Sequence, residues 1–260
     1  MVARIERRLG RIEAEEDARV LLAVESGSRA WGFHSSDSDY DVRFIYVRPV
    51  AWHLRLRWRR DVIERPIDDE LDLSGWSLGK ALGLMMRSNA VVAEWLQSPI
   101  VYRADDRAVA DLTDFCRDAS SRRSNTWHYA SLLRRHRSRV VAADGGVRLK
   151  CYFYTMRPAL ALRWMRLQGT GMPPMAMARL MAECDLPRRT DMAIRELVAL
   201  KYGMSEAGVA GRTDPAIDAL IRTEDEAAAA WLATAPGTGK PTDLADRADA
   251  MHRRHVLAIS

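Results

Sequence analysis

Residues 19–47 constrain this chain more than any other part of it. Two apolar runs, RVLLAVES and YDVRFIYV, bracket a segment that opens on Gly27-Ser28 and closes on aspartates at 37, 39 and 41. The first run ends at a glycine and the second at Pro49, and both are short and rich in strand-forming side chains. That is the pattern of buried strands. Aspartates two apart at a strand start share one side, because side chains alternate across a strand. Parallel carboxylates repel unless a positive charge lies between them. The stretch therefore asks for a cation, and for a reason to hold one.

The surrounding pattern sets the fold class. Residues 2–17 read as a charged amphipathic helix with Ile5, Leu9 and Ile12 on one side, and residues 28–34 as a turn or short helix. DVIER and ELDLS flank Pro66-Ile67-Asp68-Asp69 as a hairpin would. From Ser77 the period changes to that of a helix, and NAVVAEWLQ makes a shorter one ended by Ser98-Pro99. Beyond residue 104 no strand is evident. Helices are expected at 105–119, 122–143, 147–168, 175–184, 188–202, 214–233 and 242–257, with breaks such as Gly145-Gly146 between them. The expected class is α+β, with a small mixed sheet and its helices in residues 1–103 and an all-helical domain in residues 104–260.

Gly27 lets the backbone approach a ligand closely, and freed N–H groups where a helix starts bind phosphate. Ser28 adds a hydroxyl. Asp39 and Asp41 can hold a hard divalent cation through oxygen, Mg²⁺ or in its place Mn²⁺, and Asp72 in ELDLS stands in the right context for a third carboxylate. Two metals bridged in this way activate an attacking hydroxyl and stabilise a leaving pyrophosphate. The cation is then magnesium and its purpose nucleotidyl transfer. Asp37 and Asp39 form a competing pair. The 39/41 pair is preferred because the apolar run resumes straight after Asp41, with Asp37 a turn residue among serines.

GSRAWGFHSSDSDYDV resembles the signature of the DNA polymerase beta-like nucleotidyltransferases, a Gly-Ser followed some ten residues later by Asp-x-Asp. LDLSGWSLGKALGLMMRSNAVVAEWLQSPIVY and LKCYFYTMRPALALRWM are similar to segments of the RNA-repair-pathway branch, called RlaP or YcgL-like, so that the likeness covers roughly residues 20–180. It implies a minimal polymerase-beta-like palm followed by a helical C-terminal domain. It also implies Asp39, Asp41 and Asp72 as catalytic metal ligands, a nucleoside triphosphate as substrate and an RNA end as acceptor. Gly27, Ser28 and Arg29 would form the phosphate loop, with Lys80, Lys150 and Arg157 as further triphosphate or nucleic-acid contacts. Cys151 stands where a second basic residue would be expected. Relatives with the same core modify proteins or small molecules, and a binding module without catalysis is the remaining alternative.

Charge distribution bears on the acceptor. The net charge is +5, yet residues 121–166 carry eleven Lys/Arg against one acid, Asp144, which leaves the rest of the chain net negative. Such a split suits a polyanion held between metal-loaded carboxylates and a basic wall. Arginines on solvated helix faces are the plainer account. No apolar run approaches the roughly 20 residues of a membrane span. The N-terminus lacks a signal-peptide core and Cys116, Cys151 and Cys184 form no C-x-x-C, so a cytoplasmic protein with reduced thiols is expected. PGTGKPT at 236–242 is a linker: a P-loop needs Gly where Thr234 stands and Ser or Thr where Pro241 stands. His252 and His255 are expected in solvent. Trp31, Trp76, Trp95, Trp127 and Trp164 could stack on bases, though packing is the default for most; Trp31 and Trp76 are the two beside the proposed site.

Overall fold

In the computed structural model all residues are described except Trp58, Asp68, Asp69, Asp144, 205–208, Gly211, Thr238 and Ser260, with only the backbone described for Val209 and Ala210. The Asp68-Asp69 hairpin tip, the lone acid Asp144 and the linker residue Thr238 thus lie outside the described residues. The chain divides into two compact units, Met1–Ala30 with Asp39–Ser120 and Gly239–Ser260, and Trp31–Ser38 with Ser121–Thr238.

The first unit is built from the alternation seen in the sequence. Helix α1 (Val2–Glu16) buries Ile5, Leu9 and Ile12, the i, i+4, i+7 spacing of one helix side. After it come β1 (Arg19–Ser26), the five-residue α2 (Gly27–Trp31), β2 (Tyr40–Val47), α3 (Val50–His53), β3 (Val62–Glu64) and β4 (Leu71–Ser77). Val42, Phe44 and Tyr46 of β2 and Leu71 and Leu73 of β4 share one core with the three α1 residues. Since side chains alternate, Asp41, Arg43 and Asp72 point to the opposite face. α4 (Leu78–Met86) and α5 (Ala90–Trp95) follow, then β5 (Val101–Ala104) and α6 (Asp106–Ala119). The sheet order is β3-β4-β2-β1-β5. β2 and β4 run parallel and the other neighbours antiparallel, the expected hairpin being β3–β4.

Register makes particular residues obligatory. Phe44 lies opposite Gly75, and a methyl group on Gly75 would come within 2.1 Å of the Phe44 ring. β1 is buried from Val20 through Glu25 because β2 and β5 flank it and α1 and α6 both pack on it. At the far end of β4, Ser77 caps α4, its Oγ accepting from the Lys80 N–H at 3.2 Å.

The last helix, α12 (Leu244–Leu257), packs on α4 and α6 of this same unit. Arg247 pairs with Asp118 at 2.5 Å. His255, expected in solvent, is buried and lies 3.1 Å from Asp111. The division expected after residue 103 falls inside β5, and the chain's C-terminal segment returns to the first unit.

The second unit holds α7 (Arg122–Arg137), α8 (Leu149–Gln168), α9 (Met177–Glu183), α10 (Arg188–Tyr202) and α11 (Pro215–Thr234). It is not wholly helical: Val147–Arg148 (β6) and Val209–Ala210 (β7) form a two-residue antiparallel ladder, correcting the expectation of no strand beyond 104. α8 packs against α7, α9 and α11 and buries residues all round its axis, as an apolar central helix must. Its charges are used inside the unit. Glu224, 1% exposed, takes Arg163 at 3.1 Å and Arg166 at 2.7 Å. Buried Lys201 donates to Ser35 Oγ at 2.7 Å. Among the described residues no helix is long and apolar enough to cross a membrane.

Candidate active site

The parallel register of β2 and β4 sets Asp41 beside Asp72 on the face away from α1. One guanidinium joins them: Arg43 Nη2 donates to Asp41 Oδ1 at 3.0 Å and to Asp72 Oδ2 at 2.7 Å. The three side chains are between 20% and 32% exposed, so the cluster is open to a ligand on one side. Arg43 lies two residues after Asp41 on the same side of β2, and the pairing of β2 with β4 brings Asp72 within its reach.

The Gly-Ser turn packs directly on this cluster. Gly27 has φ +64, and a Cβ there would meet Asp41 Oδ2 at 2.2 Å. Only a residue without a side chain lets the carboxylate and the turn approach so closely. Ser28 is buried beside it. Arg29 Nε donates to the Asp39 carbonyl at 3.1 Å, and its guanidinium carbon sits 3.8 Å from the centre of the Tyr40 ring. The side chain of Asp39 is exposed, one residue before β2 begins.

Glu25, which the sequence reading passed over, anchors the arrangement from the core. Its Oε1 accepts the Asp41 backbone N–H at 2.8 Å and its Oε2 accepts the Tyr102 hydroxyl at 2.5 Å. Burial pushes the Glu25 carboxyl above its ordinary value, against the pull of those two donors. Burial likewise raises the Tyr102 hydroxyl, and its bond to Glu25 adds to the effect. A lone Glu inside an apolar run was the available sign, since such a charge needs partners.

Gly27, Asp41 and Asp72 are thus brought together in the first unit, with Ser28 and Arg29 on the adjoining turn; Asp39 joins them through its backbone carbonyl, which Arg29 holds. Lys80 is not among them. It lies past the other end of β4, roughly 16 Å along the strand from Asp72 at about 3.3 Å per residue, and pairs with Asp61 at 3.1 Å. Lys150 and Arg157 belong to the second unit. Lys150 is exposed. Arg157 is 2% exposed, donates from Nε and Nη2 to the Met175 carbonyl at 3.1 and 3.0 Å, and stacks 4.6 Å over Trp31. Trp76 packs on Trp95 with ring centres 4.1 Å apart, so Trp31 and Trp76 both have partners within the fold. Asp37 stands in a turn.

The oxygen-only donors at 39, 41 and 72 suit a hard cation. Among the described residues, however, no group of three or more His, Cys, Asp or Glu side chains is placed to hold a metal ion. The donor chemistry fits magnesium, while the positive charge between Asp41 and Asp72 is that of Arg43.

Comparison with known proteins gives the class, a nucleotidyltransferase of the polymerase beta type. Residues 1–251 match RlaP, the RNA repair pathway DNA polymerase beta family, and the chain belongs to that family. The protein YcgL of Bacillus subtilis (strain 168) is 40% identical over 226 residues, 87% of this chain and 86% of its own. A crystal structure at 1.90 Å of a nucleotidyltransferase-like protein from Exiguobacterium sibiricum 255-15 covers 88% of this chain and 75% of its own at 14% identity. Its TM-score is 0.29, too weak a likeness to carry an argument about the site.

Proposed function

We propose that this protein transfers a nucleoside monophosphate from a nucleoside triphosphate to a hydroxyl at an RNA end. The observation that supports this best is the in-register pair Asp41 and Asp72, with the Gly27 backbone pressed on the Asp41 carboxylate. Asp39 and Asp41 would hold Mg²⁺, which when bound lowers the charge repulsion met by an incoming triphosphate and stabilises the departing pyrophosphate. Gly27 and Ser28 present backbone N–H groups and a hydroxyl to the phosphates, and Arg29, held by the Asp39 carbonyl, adds a positive charge beside them. Asp72 takes the proton of the acceptor hydroxyl as its oxygen bonds to the α-phosphorus and the bond to pyrophosphate breaks. Arg43, bonded to both carboxylates, fixes the position of Asp72 beside Asp41.

Each labelled triphosphate, incubated with Mg²⁺ and a pool of RNA ends, tests this beside an Asp39→Ala/Asp41→Ala control. Label in RNA that vanishes in the control is the expected result. Equal label in both overturns the reading, and label on protein with RNA absent moves the acceptor to a protein.

A further inference from the structure

A cavity of the first unit lies at the opposite end of the sheet from the aspartates. Its volume is about 660 Å³, within the range of small-ligand sites. It forms where β4 hands over to α4, walled by α3, by Arg55, Arg57, Arg59 and Asp61, and by His252 of α12. Lys80, Arg87, Arg55, Arg57 and Arg59 line it, and the carboxylate of Asp61 is the one acidic side chain among its described lining. Asp61 holds Lys80. Among the described residues no hydrogen bond or ion pair holds the side chains of Arg55, Arg57, Arg59 or Arg87. Four exposed arginines and Lys80 around one concave space give it an excess of positive charge, which attracts a polyanion.

Two further features shape the space. Gly79 and Gly83, one helical turn apart on α4, both line it, and a Cβ at Gly83 would meet nothing within 4 Å. His53 and His252 meet edge to face at 5.0 Å. Burial lowers the pKa of both rings, so near neutral pH the positive charge comes from the arginines and Lys80. The cavity thus has room inside it and four arginines beyond the one cation, Lys80, that Asp61 balances.

We infer that this cavity is a second anion site, which binds a compact ligand carrying several phosphate charges, the chemistry shared by nucleoside polyphosphates and inorganic oligophosphates. It is separate from the aspartate cluster and does not depend on the transfer reaction proposed above.

Calorimetry on the full chain tests it, in an Asp39→Asn/Asp41→Asn background with EDTA so that the aspartate site is disabled. The titrants are ATP, inorganic tripolyphosphate, adenosine and a short single-stranded RNA. ATP and tripolyphosphate should each bind once per chain and adenosine should not. If ATP alone binds, the source is a nucleotide; if both bind alike, the phosphate chain suffices. Arg57→Ala/Arg87→Ala should weaken binding at least tenfold. Gly83→Phe, which fills open space and replaces a helix-weakening glycine, should do the same without lowering the melting temperature. Asp61→Asn, which frees Lys80, should tighten binding severalfold, a change of sign that misfolding would not produce. Phosphate binding unaltered by all three variants, adenosine binding as tight as ATP, or binding of RNA alone would overturn the inference.

Discussion

A methyl group at position 27 has nowhere to go. With φ at +64 and Asp41 Oδ2 at 2.2 Å from the would-be Cβ, Gly27→Ala forces either the turn or the carboxylate to move. The left-handed backbone alone costs roughly 1–2 kcal/mol for a residue with a side chain. The expected outcome is a thermal-melting loss of that order and nucleotide transfer reduced at least tenfold; unchanged turnover would detach Gly27 from the site. Glu25 makes a prediction of opposite sign. Its carboxyl is raised above its ordinary 4.5, so its favourable contribution is fully present below that pH and is lost as pH rises through the folded value. Glu25→Gln should therefore melt at or above wild type at pH 8, with the advantage shrinking toward pH 4.5. A variant less stable at pH 8 would show that the Asp41 and Tyr102 bonds outweigh the burial cost. At this scale spacing singled out Gly27, Asp39, Asp41 and Asp72, of which the structure sets Gly27, Asp41 and Asp72 against one another. The sequence hid the role of Arg43, because nothing local shows that a cation within a strand will lie between carboxylates of two strands.

At the scale of elements, the parallel β2–β4 pairing decides what the site can be. Its register places Asp41 beside Asp72 and, three residues on, Phe44 beside Gly75. Gly75→Ala should cost about 1–3 kcal/mol by overpacking the Phe44 ring. In a double-mutant cycle, Phe44→Leu/Gly75→Ala should cost clearly less than the sum of the single changes; additive effects in urea unfolding would contradict that contact. The strands at 19–26 and 40–47 and the β3–β4 hairpin were legible, since period-2 alternation and turn residues are local signals. β5 and the short α3 were not, because their strand and helix states come from pairing and packing partners distant in sequence. Lys80 shows the same limit: spacing put it eight residues after Asp72, and the direction of β4 carried it to the far end of the sheet.

For the whole molecule, the basic segment 121–166 is less free than its composition suggests. Arg163 and Arg166 serve Glu224, Arg134 and Arg137 pair with Asp225, and Arg157 is buried on the Met175 carbonyl. If RNA binds through what remains exposed, such as Arg135, Arg139 and Arg148, few phosphates are neutralised. With Lys150 counted beside those three, the plot of log affinity against log salt for single-stranded RNA should have a slope of about −3, against roughly −8 if all eleven cations took part, at about −0.7 per phosphate. The steeper slope would mean that the internal ion pairs open on binding. The same accounting predicts that Glu224→Ala lowers stability by about 2–4 kcal/mol, because it strands two arginines beside a buried site.

Local order determined what the sequence could determine alone: strand and helix periods, the Gly-Ser turn, the Asp-x-Asp spacing and the family they mark. Each depends on residues close in the chain, where backbone geometry dictates which side chains share a face. Tertiary structure alone decided that Arg43 bridges Asp41 and Asp72, that Glu25 holds β2 in place, that α12 rejoins the first unit and that Lys80 faces a cationic cavity instead of the aspartates. Those outcomes rest on contacts between segments tens to hundreds of residues apart, whose energies no local pattern encodes.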